Sequence, residues 1–440
     1  MIINSNSKPS ALKTRAIKDF SDHVSSGKAA FFQKYGMNLV MGPRKGSYIR
    51  DIDRSKRLFN LHCNGGVFNL GHRNIELIEL LKTGLDDYDI GNHHLMSKVR
   101  ADLARKLAEL MPGDLNYTVF GAGGGEAVDL AFKVARAYTK RTKIISARGG
   151  YHGHTGLALA AGDAKYRSPF GPAAPGFVQV PFNDVQAFED AADGDTAAVI
   201  LETVPATLGI VIPGEDYLQS VRRICDEKGI LLILDEIQTG LGRTGKLWAF
   251  EHFQIVPDMV VLGKGLSGGL YPITATVIRT PLETVFHEDP FIHVSTFGGS
   301  EIGCLVAQRV LEISASSEFL NHVNLLAKGF AEQLDSLKHA RSNFFIAVRQ
   351  LGLMMGLVLK DEHCGPILTK TAYDRDLLMV YANNDTSVCQ LLPPLVMDPS
   401  RIDWIIQQLD AALAAARRLR TVQGVKSNIG RLVKKIAPMS

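Results

Sequence analysis

Two residues in this chain have the type and the setting to do organic chemistry together. Asp235 closes an apolar run, Leu231–Leu234, and Lys264 follows a second, Met259–Leu262, across Gly263. Short apolar runs bounded by glycine and polar residues suit buried strands of a parallel sheet. Such sheets bind ligands at the carboxyl ends of their strands. An acid and an amine delivered to that edge face one space. Lys264 has glycine on both sides, which leaves room for a bulky group beside its amine. A lysine desolvated there loses basicity and becomes a nucleophile able to form a Schiff base. A lone lysine after a strand is ordinarily a solvated loop charge, since lysine is rarely buried.

Asp235 shifts that balance. An enzyme using pyridoxal phosphate (PLP) needs a lysine for the covalent link and a carboxylate against the pyridine nitrogen. The carboxylate keeps that nitrogen protonated, and the ring then works as an electron sink. Leu234–Gly245 (LDEIQTGLGRTG) and Val261–Gly269 (VLGKGLSGG) resemble the class III aminotransferases of PLP fold type I. The likeness continues through GLYPITATV, similar to the ornithine, acetylornithine and putrescine aminotransferase branches, and covers roughly residues 30–415.

Bulk properties are those of a globular protein: 440 residues, 46% hydrophobic and 21% charged, long enough for two or three domains. A net charge of +4 is too small to argue for nucleic acid. Cys63, Cys225, Cys304, Cys364 and Cys389 form no CxxC and give no metal motif; they fit reduced thiols in a cytoplasmic protein. No apolar run reaches the roughly 18 residues of a membrane span. The basic N-terminal segment lacks the apolar stretch of a secretory signal and reads as a transit peptide or a plain arm.

In chain order, residues 1–30 form the arm, and Gly46–Leu61 alternates as a hairpin with DRSKR at its turn. Asn64–Asn74 is glycine-rich and resembles the family segment that approaches the active site. Thr118–Gly125 (TVFGAGGG) is a strand running into glycines. Glu126–Lys140 follows with Ala127, Leu130, Ala131, Val134 and Tyr138 on one helical face. Glycines opening a helix aim backbone N–H groups at an anion. A dinucleotide fingerprint from Gly121 fails, because Glu126 stands at its last glycine. The loop Gly123, Gly124, Gly125 is therefore assigned to a phosphate monoester. The family carries hydroxyl side chains here, so backbone N–H groups and another source must hold the phosphate.

Further roles come from the resemblance alone. In GGYHGHT, Tyr151 stacks on the pyridine ring and His152 lies near the cofactor. Glu202, ending the strand Ala198–Val204, and Gln238 lie near the phenolic oxygen. Thr296, in IHVSTFGGSE, reaches the PLP phosphate of the other subunit, which implies a homodimer sharing its sites. Tyr217–Gly229 fits a crossover helix returning the chain to the Leu231 strand. Strand-like runs in Phe344–Lys360 are separated by Arg349–Gly352, and Arg401–Arg420 is a helix with Ile402, Ile405, Ile406, Leu409 and Leu413 inward. A basic tail with Lys426, Arg431, Lys434 and Lys435 follows.

The sequence departs from the family at one feature. Many members bind a carboxylate with an arginine shortly before Pro-Pro-Leu; here Gln390 stands there. An amide does not replace a bidentate guanidinium. The glutamate that pairs with that arginine in the empty site is Thr207 here. Their joint loss is coherent, since either charge alone would sit buried and unpaired.

The resemblance implies an α/β chain of PLP fold type I. Residues 1–62 are the arm and part of a small domain. Residues 63–308 form a large domain with a mostly parallel seven-stranded sheet. Residues 309–420 form a small C-terminal α+β domain, and 421–440 the tail. The active site lies between the domains. Lys264 holds PLP and, once freed by the substrate amine, moves the α-proton as base and acid. Reprotonation at the cofactor gives transamination between an amine or amino acid and a keto acid. Reprotonation at the substrate carbon gives racemisation or epimerisation, and loss of a β leaving group gives a lyase. A catalytically idle binding protein is the further alternative, against which the Lys264/Asp235 pair speaks.

Overall fold

The computed structural model describes residues 10–91 and 95–436, with side chains placed through Thr421. The central sheet has seven strands. From one edge to the other they are Leu115–Gly121, Thr274–Arg279, Met259–Leu262, Leu231–Asp235, Thr196–Glu202, Lys143–Ala147 and Phe177–Val180. Only Thr274–Arg279 runs against the rest. The fold is thus α/β with a mostly parallel sheet, as expected.

The apolar runs read as strands because both of their faces are covered. Val199, Leu201, Leu232, Leu234, Val260 and Leu262 belong to one core cluster. The alternating Ala198, Ile200, Ile233, Met259 and Val261 belong to another. Burial on both faces is what removes the polar alternation of a half-exposed sheet. The helix Gly124–Thr139 covers one face with Ala127, Leu130, Ala131 and Val134. Tyr138 does not join them: it is 42% exposed, in the last turn before the chain swings away at left-handed Lys140. Tyr217–Lys228 is the helix that returns the chain to the Leu231 strand.

The N-terminal segment is helical over Ala11–His23 and Ser26–Lys34. Tyr48–Asp51 and Arg57–Asn60 pair as the expected hairpin, and Arg57–Asn60 pairs in parallel with Leu377–Leu378. A further antiparallel sheet runs Phe345–Leu351, Met354–Leu359, Val388–Leu391, Val380–Tyr381. Arg349–Gly352 does not separate its first two strands as expected. The strand continues through Leu351 because Arg349 and Gln350 find carbonyl partners, Gly209 O and Ala327 O, and the turn falls at Gly352, φ 57°.

The last helix spans Ile402–Ile436 instead of stopping at Arg420. Ile402, Ile405, Leu409 and Leu413 are buried, Ile406 partly so. The side chains of Lys426, Arg431, Lys434 and Lys435 lie outside the described ones. Among the described residues, no helix is long and apolar enough to cross a membrane.

Candidate active site

Glu202 and Asp235 are the last residues of adjacent strands and are partners in register, with Val261 across from Asp235. Lys264 follows the end of the next strand. Three neighbouring strands therefore deliver two carboxylates and an amine to one edge, where a cavity of about 270 Å³ opens. Lys264, Asp235, Glu202, Gln238, Tyr151, His152, Gly124 and Gly125 line it.

Lys264 sits at φ 42°, a left-handed conformation that costs a residue with a Cβ on the order of 1 kcal/mol. The loop holds it there: Ser267 Oγ donates to Lys264 O at 2.6 Å and accepts from Gly269 N at 3.0 Å. Lys264 Nζ donates to Gln238 Oε1 at 2.5 Å. Burial lowers its pKa, with Asp235 and Glu202 pulling the other way.

Asp235 is 5% exposed. Its Oδ2 lies 2.9 Å from His152 Nδ1, and its Oδ1 accepts from Ile237 N at 3.1 Å. Burial disfavours charge on His152, but the bond to Asp235 and the charges of Asp235 and Glu202 outweigh it and hold its pKa above the ordinary value. Glu202 accepts from Tyr151 N at 2.9 Å and Ala206 N at 3.3 Å. Burial, reinforced by Asp235 and opposed by His152, pushes its pKa up to about 7.

At the glycine turn, Glu126 Oε2 already accepts from Ala122 N and Gly123 N at 2.8 and 3.3 Å. That leaves Gly124 and Gly125, which line the cavity, to face an anion; Gly123 does not line it. A Cβ on Gly125 would lie 2.5 Å from Thr155 Oγ1. The Thr155 hydroxyl fills that space, with its proton directed to Asp129 Oδ2 at 2.9 Å. Thr296 is exposed and is not among the residues lining its own chain's cavity; Phe291, Ile292, Val294 and Phe297 near it in sequence are exposed too.

Thr207 lines the cavity, whereas Gln390 is not among its lining residues and is buried in the Val388–Leu391 strand opposite Gly356. Among the described lining residues there is no arginine.

Other residues at the site escaped the motif reading. His154, Val204, Ile237 and Thr239 also line the cavity. A Cβ on Gly65 would meet Gln238 Oε1 and Lys264 Nζ, each at 3.1 Å. The doubled glycine at 65–66 was the available signal, without the partner it approaches. Arg243 is wholly buried and donates to Leu353 O (3.1 Å), Pro393 O (2.8 Å) and Asn69 Oδ1 (2.6 Å). Burial brings its pKa down to about 10, and Cys63 opposes the shift.

Three buried polar atoms among the lining residues, His152 Nε2, Gln238 Nε2 and Thr239 Oγ1, have no hydrogen-bond partner. Buried groups left so normally await a ligand or water. With a glycine cradle, a buried amine and a buried carboxylate, these residues fit a phosphorylated pyridine aldehyde.

Comparison with known proteins agrees. A family model for aminotransferase class-III matches residues 32–413. The chain is 54% identical over 408 residues to a protein of Archaeoglobus fulgidus named an uncharacterized aminotransferase, covering 93% of this chain and 96% of that one. It is 32% identical over 416 residues to the putrescine aminotransferase of Pectobacterium atrosepticum, covering 90% and 88%. The crystal structure of ornithine aminotransferase from Toxoplasma gondii superposes with a TM-score of 0.84 at 25% identity, covering 94% and 97%. These relatives bear aminotransferase names and lend no support to the racemase or lyase alternative. The chain belongs to the class III aminotransferases, PLP-dependent transferases of fold type I.

Proposed function

We propose that this enzyme moves an amino group from an amine or amino acid to a keto acid without the usual carboxylate gate for glutamate and 2-oxoglutarate. One observation carries the reading: Lys264, Asp235 and Glu202 share a cavity with no arginine among its described lining residues. The named relatives act on putrescine and ornithine. Both molecules carry a terminal primary amine, which makes such an amine the first donor to test.

When bound, PLP supplies the electron sink for the carbanion formed at the substrate carbon. Lys264 is the nucleophile that carries the cofactor; burial raises the uncharged share of its amine. Once released, Nζ takes the proton from the amino-bearing carbon of the substrate and returns one as general acid. Asp235, steadied by His152 and Ile237 N, holds a protonated pyridine nitrogen. Tyr151 would cover the ring face, and Gln238 and Glu202 would meet the phenolic oxygen. Gly124 and Gly125 offer N–H groups to the phosphate at the helix start.

Thr296 completes the phosphate site of a second copy, so the homodimer is the active form. The exposed apolar residues around it supply a surface for that contact. Division at residues 62, 308 and 420 belongs to the same reading, as does a cytoplasmic setting, which the five free, buried cysteines favour.

The test is the pair of half-reactions. Terminal amines should convert the bound cofactor to its pyridoxamine form, and pyruvate should restore it faster than 2-oxoglutarate. No conversion by any amine, with racemisation or elimination instead, would overturn the reading.

A further inference from the structure

Asn384 lies in the turn 382–387 between the Val380–Tyr381 and Val388–Leu391 strands, outside the central sheet. It nevertheless reaches the rim of the cavity. Its Nδ2 donates to Gly149 O. Its Oδ1 accepts from Tyr166 Oη at 3.2 Å. Its backbone N donates to Thr207 O at 2.9 Å. Thr207 Oγ1 in turn donates to Gly149 O at 3.2 Å. Its side chain thus joins the Gly149 and Tyr166 segments, and its backbone N–H joins the Thr207 loop to the same residue.

Both arms of the amide lead to the same ring. Gly149 begins the segment that carries Tyr151 and His152. Tyr166 meets the Tyr151 ring edge-on, centroids 5.6 Å apart, and both rings pack edge-on against His154 at 5.3 Å. Edge-to-face contacts of this kind contribute about 0.5–1.5 kcal/mol beyond simple burial. Gly149 has little slack of its own: at φ 78°, a Cβ would lie 2.5 Å from Leu208.

We infer that Asn384 is a positioning residue that sets the Tyr151–His152 segment and the Thr207 wall from the C-terminal sheet. It needs an amide, because one end must donate to a carbonyl while the other accepts from a hydroxyl. A carboxylate keeps the acceptor but turns an oxygen against Gly149 O. Every member of the clasp, Thr207 included, is a neutral group.

The inference rests on the proposal that Tyr151 faces the cofactor, so the test has one arm independent of it. In the full-length cofactor-free protein, Asn384→Asp and Asn384→Ala should speed hydrogen exchange across residues 149–152 by roughly tenfold. Loaded with PLP, the same variants should lose visible circular dichroism of the cofactor. Their KM for the amine should rise about tenfold while kcat stays within about twofold. Tyr166→Phe, which removes only the hydroxyl arm, should shift each reading the same way but less, and it serves if the Asn384 variants fail to fold. Thr386→Ala removes a contact of the same turn, Thr386 Oγ1 to Glu362 O, that touches neither arm, and should leave all three readings at wild-type values. Unchanged exchange in the Asn384 variants would overturn the clasp itself. Faster exchange with unchanged dichroism and KM would overturn its action on the cofactor face. Equal effects from Thr386→Ala would overturn the assignment to Asn384. Should the wild-type protein bind no PLP, the exchange arm still decides the clasp while the proposed function fails.

Discussion

Asp235 is held at the end of a buried strand by His152 and Ile237 N, whereas Thr296 stands on an exposed strip between Phe291 and Phe297. On the floor, Lys264, Asp235 and Glu202 find their partners within one chain, and burial tunes Lys264 and Glu202 in opposite charge senses. At the rim, the glycine turn has spent one of its N–H groups on Glu126, and the Thr155 hydroxyl is committed to Asp129. The floor finds its partners in one chain; in the proposed function the rim adds backbone donors and Thr296 of a second copy. Chemistry and cofactor retention should therefore fail separately when each region is altered.

The largest expected loss is on the floor. Lys264→Ala should lower turnover by roughly 10⁴-fold, because nucleophile and proton carrier vanish together. Asp235→Asn should keep PLP bound and slow proton abstraction by about 10²–10³-fold, since a neutral amide stabilises the ring cation poorly. Single-turnover absorbance changes measure both. Near-normal rates in Asp235→Asn would make that residue structural.

Rim changes should be smaller and of a different kind. If Thr296 reaches the partner's phosphate as proposed, Thr296→Ala should remove a charge-assisted hydrogen bond worth about 1.5–3 kcal/mol and release PLP roughly ten- to a hundredfold more readily. A fully active monomer, identified by sedimentation, would erase the contrast between floor and rim. Gln390→Arg with Thr207→Glu should improve the use of 2-oxoglutarate by roughly tenfold or more. Gln390→Arg alone should do less, because a lone buried guanidinium lacks a partner in the empty site. A strong preference of the unaltered enzyme for 2-oxoglutarate over pyruvate would mean that another cation binds the carboxylate.

The smallest effect sharpens the electrostatics of the floor. Glu202 has its folded pKa raised from 4.5 to about 7. Between those values the folded chain holds a proton that the unfolded chain has lost. That stabilisation is complete below about pH 4.5 and is lost as pH rises through about 7. Glu202→Gln should remove this fall, so the cofactor-free variant gains stability relative to wild type at pH 8 but not at pH 5. Denaturant midpoints at the two pH values measure it, and an equal difference at both would show that Glu202 does not titrate in this range.

The floor was legible in the sequence because its signals are local. Continuous apolar runs marked the Leu231 and Met259 strands, and Asp235 and Lys264 follow from where those runs end. Distant pairing was not legible. The resemblance brought Asn64–Asn74 toward the active site but did not name Lys264 as the neighbour of Gly65, and nothing near Asn384 reveals Gly149. Arg349 and Gln350 looked like a break because charge and amide suit turns, yet distant carbonyls satisfy them within a strand. Tyr138 fitted the helical period but fell in a last turn that faces solvent.

Lys264 as the covalent anchor is tested most directly by trapping the link. Borohydride reduction of the PLP-loaded protein, followed by peptide mapping, should place the pyridoxyl group on Lys264 and leave Lys264→Ala unlabelled. A pyridoxyl group mapped to any other lysine of the wild-type chain would contradict the assignment.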